Sequence, residues 1–119
     1  MANGKIKADT LEHSTAGSLD TKFVVNGSAK VWVFATSDVI TDSLNTSSST
    51  DVATGEYTFT FTSATATTNV AMTGTVLQNN NYIIGRKSNT TSSYNIRIKN
   101  TGNNGQDANT GSSVHGDLA

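Results

Sequence analysis

Cysteine and proline are both absent from this 119-residue sequence, and charged residues are scarce at 14%. Without cysteine the chain forms no disulfides and no thiolate metal sites, so durability in a harsh environment must come from another source. We expect it to come from the interlocking of several copies. The formal net charge of −1 provides no long-range field to attract a polyanion, and we expect no nucleic-acid partner.

Long apolar runs are absent as well. No segment approaches the roughly 20 apolar residues that span a bilayer, and the N-terminal MANGKIKADTLEH lacks the apolar core of a signal peptide. We therefore expect a chain that is made in a cytoplasm and does not insert into a membrane. Apolar residues amount to only 34%, so a lone copy would bury little apolar surface to offset the entropy lost on folding. This balance favours a single small domain that self-associates.

Thr, Ser and Asn are abundant and together supply 47 residues (20, 14 and 13, respectively). The branched β-carbon of Thr favours strands, and low charge without proline is not typical of a disordered chain. Segments such as EYTFTFTS and SYNIRIKN have the two-residue period of half-buried strands. About seven or eight such strands, with polar turns between them and no sustained helical period, predict an all-β fold with little or no helix. We expect an antiparallel β-sandwich or jelly-roll-like domain with an N-terminal extended attachment strand.

The most continuously apolar segment is AKVWVFAT, residues 29–36. Val31 and Val33 would face one side of this strand, and Trp32 and Phe34 would face the other. Strands that are apolar on both faces are usually buried on both faces. We interpret the segment as the central strand of the domain, covered on both sides.

The N-terminal region differs from the rest of the chain. We interpret residues 1–22 as an attachment arm and residues 23–119 as the β-sandwich domain. The arm alternates charged and apolar residues with the two-residue period of a strand, which would pair with a partner protein as an edge strand. The attachment residues are Lys5, Ile6, Lys7 and Ala8. The dipeptide Asn26-Gly27 predicts a hairpin or a sharp corner.

Residues that could carry chemistry are few. Two histidines, His13 and His115, do not meet the three or four ligands of a typical zinc site. Serines are plentiful, but no G-x-S-x-G nucleophile elbow is present. Asp51 and Glu56 bracket a turn, where carboxylates more often bond the backbone. We expect no enzymatic activity, no metal and no cofactor.

Aromatic and basic residues offer two further surfaces. Aromatic side chains in alternating strands more often fill a core than stack on sugars or bases, so we expect Trp32, Tyr57 and Tyr94 to be buried. Tyr82 follows three asparagines, and we expect it to be exposed. Two basic pairs would form a modest basic patch if their strands are neighbours, although a solvated sheet face explains them equally well. They are Arg86, Lys87, Arg97 and Lys99.

Three segments occur in a fixed order: GSAKVWVFAT, then DSLNTSSSTDVATGEYTFTF, then a strand that leads to GDL. Over residues 27–119 this order resembles the C-terminal domain that recurs in fibre and other virion proteins of tailed bacteriophages, notably those of marine bacteria and cyanobacteria. The chain departs from the family at Phe34-Ala35, where Asn-Phe is common, and at Thr46, where an apolar residue is usual. The middle motif is filled by Asp42, Ser43, Asn45, Ser47, Thr50, Asp51, Thr54, Gly55, Tyr57 and Phe61.

The resemblance implies a trimeric β domain that is displayed on a virion and works by contact. Our leading hypothesis is a fibre or knob-type surface component involved in host attachment, joined to other virion proteins by the arm. A capsid decoration protein that stabilises the shell and a lectin-like glycan-binding module are the alternatives. The outer loops would meet the receptor, which could be a host surface glycan. The candidate receptor residues are Asn79, Asn80, Asn81, Tyr82, Asn89 and Ser92.

Overall fold

A computed structural model describes residues 7–77 and 81–119. Almost every described element is a strand. The elements are β1 (Thr10–His13), β2 (Gly17–Asp20), α1 (Thr21–Gly27), β3 (Ala29–Thr36), β4 (Val39–Leu44), β5 (Thr46–Ala53), β6 (Glu56–Phe61), β7 (Ala71–Val76), β8 (Tyr82–Asn89), β9 (Ser93–Asn100) and β10 (Thr110–His115). Within the described ranges no helix is long and apolar enough to cross a membrane.

Two antiparallel four-stranded sheets form the domain, which confirms the predicted β-sandwich. Sheet 1 has the strand order β4-β3-β10-β7, and sheet 2 has the order β5-β6-β9-β8. Hairpins join neighbouring strands of the same sheet: β3 and β4 in sheet 1, and β5 and β6 as well as β8 and β9 in sheet 2. The inner pairs β3–β10 and β6–β9 connect strands that are distant in the sequence, so they hold the two ends of the domain together.

The core lies between the two sheets and is built from alternate residues of the inner strands. β6 and β9 bury their alternating apolar side chains, as the two-residue periods of their sequences predict, and β3 buries Val31, Val33 and Ala35. The aromatic and aliphatic residues predicted to face inward on β6 and β9 do so. The buried apolar residues are Val31, Val33, Ala35, Tyr57, Phe59, Phe61, Val70, Tyr94, Ile96, Ile98, Ala108 and Val114.

Aromatic contacts occupy the centre of this core. The ring of Tyr94 lies 5.3 Å from that of Phe59 and 5.7 Å from that of Phe61, measured between centroids. Tyr94 also shares a hydrogen bond of 2.7 Å with the hydroxyl of Ser112, which lies in the opposite sheet. Burial raises the pKa of the Tyr94 hydroxyl to about 12, so it stays protonated and available for this bond. The bond therefore joins the two sheets at the centre of the sandwich.

The loop between β9 and β10 closes one end of the sandwich. The carboxylate of Asp107 accepts hydrogen bonds from the Gly55 backbone N–H and the Tyr57 hydroxyl, both over 2.7 Å. Gly55 has a φ of +72°, and a Cβ there would lie 2.5 Å from backbone atoms of Ile98 and Gln106. Glycine is needed at this turn because the loop packs directly on the backbone.

The N-terminal region forms a small substructure outside the sandwich. β1 and β2 pair as a hairpin, and the Thr21 N–H donates to the Asp9 carbonyl over 2.8 Å. The ring of His115 bonds the carbonyl of Gly27 over 3.1 Å through Nδ1, which links the end of α1 to β10. The molecule is elongated, with extents of 51 × 34 × 26 Å and a radius of gyration of 16.9 Å. A compact chain of this length would have a radius of about 13.5 Å.

Two expectations for this region differ from the structure. Lys5 and Ile6 lie outside the described residues, whereas Lys7 and Ala8 are exposed and precede the first strand, which begins at Thr10. The predicted turn at Asn26-Gly27 is instead the end of α1, where the Ser28 N–H donates to the Val24 carbonyl. Extended backbone resumes at Ser28.

We predict that removal of the hydrogen bond between the sheets destabilises the sandwich. Tyr94→Phe should lower the free energy of unfolding by about 1–2 kcal/mol, because a nearly buried Ser112 hydroxyl loses its partner. Chemical denaturation followed by tryptophan fluorescence would measure the loss. In the double variant with Ser112→Ala the two losses should be less than additive; full additivity would show that the bond contributes nothing.

Candidate functional site

The outer face of sheet 1 carries an apolar surface. β3 buries Val31 and Val33, so its alternate residues Trp32 and Phe34 point away from the core. Strand pairing places Leu44 of β4 beside Trp32 on this face. We call Trp32, Phe34 and Leu44 the apolar ridge. Phe34 is 39% exposed and Leu44 is 48% exposed, so this chain does not cover its second apolar face.

Small residues lie beside the apolar ridge. Ser113 of β10 pairs with Trp32, and Gly111 pairs with Phe34. On the next strand, β7, Thr73 and Thr75 continue the same two rows. We call Gly111, Ser113, Thr73 and Thr75 the trough. Trp32 and Phe34 of the ridge and the residues of the trough line one shallow hollow of about 530 Å³.

The expected burial of Trp32 in the core is therefore corrected. Tyr57 and Tyr94 are fully buried, as predicted, but Trp32 is only partly buried and lies outside the core. The cause is that both faces of β3 are apolar, and the second sheet covers only the Val31 side. Tyr82 also differs from expectation, since it is half-buried against the core and its hydroxyl bonds Gln106 over 3.2 Å.

The outer face of sheet 2 is charged. Pairing of β8 with β9 sets Gly85 opposite Arg97, which brings the two basic pairs of the sequence to one surface. They line a hollow of about 390 Å³ that we call the basic groove. Its lining is completed by neutral residues of β8, β9 and the following turn. The lining residues are Ile83, Gly85, Arg86, Lys87, Arg97, Lys99, Asn100, Thr101 and Asn103.

Glu56 is a nearly buried carboxylate on this charged face. Its oxygens accept hydrogen bonds from Lys87 Nζ at 2.8 and 3.0 Å, and Arg97 Nε lies 3.0 Å away. The hydrogen bond from Lys87 is the main reason that the pKa of Glu56 is lowered from its usual 4.5, and the positive charges of Lys87 and Arg97 act in the same direction. Glu56 thus holds both cations in place on the sheet.

The remaining basic residues have different surroundings. Arg86 Nη1 donates to the Val70 carbonyl over 2.8 Å, so this guanidinium connects β8 to the segment that precedes β7. Lys99 Nζ hydrogen-bonds the Asn103 side-chain oxygen, which carries no charge. Arg86 and Lys99 therefore bond neutral oxygens, whereas Lys87 and Arg97 pair with Glu56.

The candidate receptor residues that the structure describes lie toward opposite ends of β8. Asn79 and Asn80 lie outside the described residues. Asn81 is exposed just before β8, whereas Asn89 ends β8 and Ser92 lies in the turn that follows. The seven residue steps from Tyr82 to Asn89 separate these two groups by about 23 Å. In addition, Asn89 is half-buried and its side-chain amide donates to the Thr68 carbonyl over 2.9 Å.

A third hollow lies in the N-terminal substructure. It has a volume of about 530 Å³ and is formed between the start of the hairpin and α1. Lys7 and Ala8, two of the predicted attachment residues, line it together with apolar side chains. The other lining residues are Asp9, Leu11, Thr21, Val24 and Val25. Leu11 and Val25 are 50% and 59% exposed, so this hollow is an open apolar surface.

Within residues 7–77 and 81–119, no group of three or more His, Asp or Glu side chains is placed to hold a metal ion. Comparison of the chain with protein-family models, with curated protein sequences and with solved structures gave no match. The function must therefore be argued from the surfaces described above and from the sequence resemblance.

We predict that Glu56 makes the stability of the sandwich depend on pH. Because its pKa is lowered in the folded state, its contribution is present above about pH 4.5 and is lost as the pH falls through the folded-state pKa. The melting temperature of Glu56→Gln should therefore be lower than that of the parent at pH 7, and the difference should shrink toward pH 3. Calorimetry at both pH values measures this change.

Asp42→Asn is the matched control, because Asp42 is exposed and, among the described residues, its carboxylate accepts a hydrogen bond only from the Ser43 N–H. Its melting temperature should follow that of the parent at both pH values. A constant difference between Glu56→Gln and the parent from pH 7 to pH 3 would show that the ion pairs contribute no pH-dependent stability.

Proposed function

We propose that this chain is a structural protein of the bacteriophage virion surface, a homotrimeric fibre or knob-type component that takes part in host attachment. It acts by contact and not by catalysis, and it joins the virion after synthesis in the host cytoplasm. The observation that carries the proposal is the pairing of the apolar ridge with the trough on sheet 1. The resemblance of residues 27–119 to the C-terminal domain of tailed-phage fibre proteins supports the phage assignment and the threefold state.

A second copy of the chain is the partner that fits the outer face of sheet 1. A ring of identical chains needs two different patches that meet head to tail. The apolar ridge projects large side chains, and the trough beside it presents Gly, Ser and Thr, so the ridge of one copy fits the trough of the next. Burial of Trp32 and Phe34 in this contact would supply apolar area that the sandwich of a single copy lacks.

The N-terminal substructure provides a separate surface for attachment to other virion proteins. Leu11, Leu19, Val24 and Val25 are each at least 43% exposed, and they lie on a part of the chain that projects from the sandwich. Exposed apolar side chains clustered in this way are typical of interaction surfaces. This assignment keeps the predicted role of the arm but moves it from a single strand to the hairpin and α1.

We predict that the double variant Trp32→Ser/Phe34→Ser is monomeric. The parent protein should sediment as a trimer with three times the 12.4 kDa chain mass, because the ridge of each copy is buried by its neighbour. The variant should fold with an unchanged circular dichroism spectrum, since neither side chain belongs to the core. Sedimentation equilibrium at micromolar concentration measures both masses.

Val52→Ser is the control for this experiment, because Val52 is 52% exposed but lies on β5 of the other sheet. It should leave the trimer intact. A monomeric parent, or a double variant that keeps the parent's mass, would contradict the role of the apolar ridge.

We also predict that deletion of residues 2–14 prevents incorporation into phage particles. The deletion removes β1 and the hollow that Lys7 and Ala8 line, but it leaves β3 to β10 unchanged. Purified particles assembled with the truncated chain should lack it on immunoblots, while the free truncated protein keeps its melting temperature within a few degrees. Normal incorporation of the truncated chain would refute the attachment role.

A capsid decoration protein is the second candidate function. The same exposed apolar hollow in the N-terminal substructure would dock such a protein on a shell. The decoration hypothesis requires many copies per particle and a shell that becomes less stable when the chain is missing. The fibre hypothesis requires few copies and a loss of host attachment.

A further inference from the structure

Another hollow, distinct from the three already described, adjoins the basic groove on the outer face of sheet 2. It has a volume of about 340 Å³, and Lys87 lines both hollows, so the two lie side by side on the β8–β9 hairpin. Six of its eight lining residues carry a hydroxyl or amide side chain. We call this surface the polar hollow, and its polar residues are Thr58, Ser88, Asn89, Thr90, Ser93 and Asn95.

Asn95 is the residue of the polar hollow that points to a ligand. It is 9% exposed, and its side-chain nitrogen donates to the Thr58 hydroxyl over 2.9 Å. Its side-chain oxygen has no hydrogen-bond partner among the described residues. Buried polar atoms are almost always hydrogen-bonded, so this acceptor lacks the donor that a bound hydroxyl group would supply.

The charge of the basic groove is unusual for this chain. Four of the eight Lys and Arg residues line it, although the whole chain has a net charge of −1. Glu56 compensates part of this charge through Lys87 and Arg97, and Lys99 bonds only the neutral Asn103 among the described residues. The groove therefore keeps a positive charge that would stabilise one anionic group.

We infer that the basic groove and the polar hollow together bind an anionic saccharide. The carboxylate or sulfate would lie against Lys99 and Arg97, and the ring hydroxyls would bond the polar hollow, with one of them donating to Asn95. Gly85 and the 66% exposed Ile83 give the groove a flat apolar floor suited to a sugar face. This inference rests on the proposed function, since it names the ligand class of a virion surface protein at the host.

A nucleic acid would also present anionic groups, but it fits this surface less well. Stacking on aromatic side chains is the usual basis of binding to single strands, and no aromatic residue lines either hollow within the described residues. The low net charge of the chain also provides little attraction for a long polyanion.

The test is titration of the isotope-labelled full chain with tetragalacturonate and with a sulfated dextran tetrasaccharide, followed by heteronuclear NMR. We expect at least one of them to shift the amide signals of Lys99 and Asn95, and its neutral counterpart, the methyl ester or unsulfated dextran, to bind at least about tenfold more weakly. Lys99→Gln should weaken binding of the acidic sugar about threefold to fivefold. Lys30→Gln is the control for the same change of net charge, because Lys30 lies on β3 in the other sheet, and it should have no effect.

Several outcomes would overturn the inference. Inorganic sulfate that binds as tightly as the acidic sugars would show that the groove is a simple anion site. A short DNA duplex that binds more tightly than the acidic sugars would show that the ligand is a nucleic acid and not a saccharide. The absence of binding by both acidic sugars, or equal effects of Lys99→Gln and Lys30→Gln, would exclude the site. Because the titration uses free protein, its failure is distinct from a failure of trimer formation or of incorporation into particles.

Discussion

The contact on which the rest of the structure depends is the pairing of β6 with β9. This pairing brings Phe59 and Phe61 against Tyr94, and the Tyr94 hydroxyl reaches Ser112 in the other sheet. The chain is poor in apolar residues, and this cluster concentrates a large part of its buried aromatic area at one point. Because β6 and β9 are the inner strands of sheet 2, their register also positions β5 and β8.

Strand alternation converts this core into two different outer surfaces. Every inward residue on β3, β6, β9 and β10 fixes the direction of its neighbours. On sheet 1 the outward residues are the apolar ridge and the trough, which suit contact with another protein chain. On sheet 2 they include Glu56, Arg97 and Lys99, which suit contact with an anionic ligand. A small domain with a single core can in this way use one sheet for assembly and the other for recognition.

The sequence predicted the parts of the fold that have a clear apolar period. β6 and β9 were expected at the positions where they occur because their apolar residues alternate, and β3 was expected because its apolar run is continuous. β5 carries no such signal, since TSSSTDVA is polar on both faces and becomes a strand only by pairing with β6. The helix α1 has no side-chain capping bond, and its seven residues are too few to show a helical period in the sequence.

The candidate surfaces were only partly accessible to sequence reasoning. The basic patch was anticipated on the condition that β8 and β9 are neighbours, and they are. The outward position of Trp32 could not be foreseen, because both faces of β3 are apolar and only the sheet packing decides which one is buried. Glu56 was read as a turn carboxylate; its role follows from the strand register that sets it opposite Arg97. Register of distant strands is the information that a single sequence lacks.

A cryo-electron-microscopy map of the intact phage particle would test the central claim most directly. Our account predicts that the chain lies on the virion exterior in groups of three, with Trp32 and Phe34 of each copy buried against the next copy and the basic groove facing outward. A few such groups on the tail would support the fibre reading, and many on the capsid would support the decoration reading. Absence of the chain from the particle, or single copies whose apolar ridge faces solvent, would contradict the account.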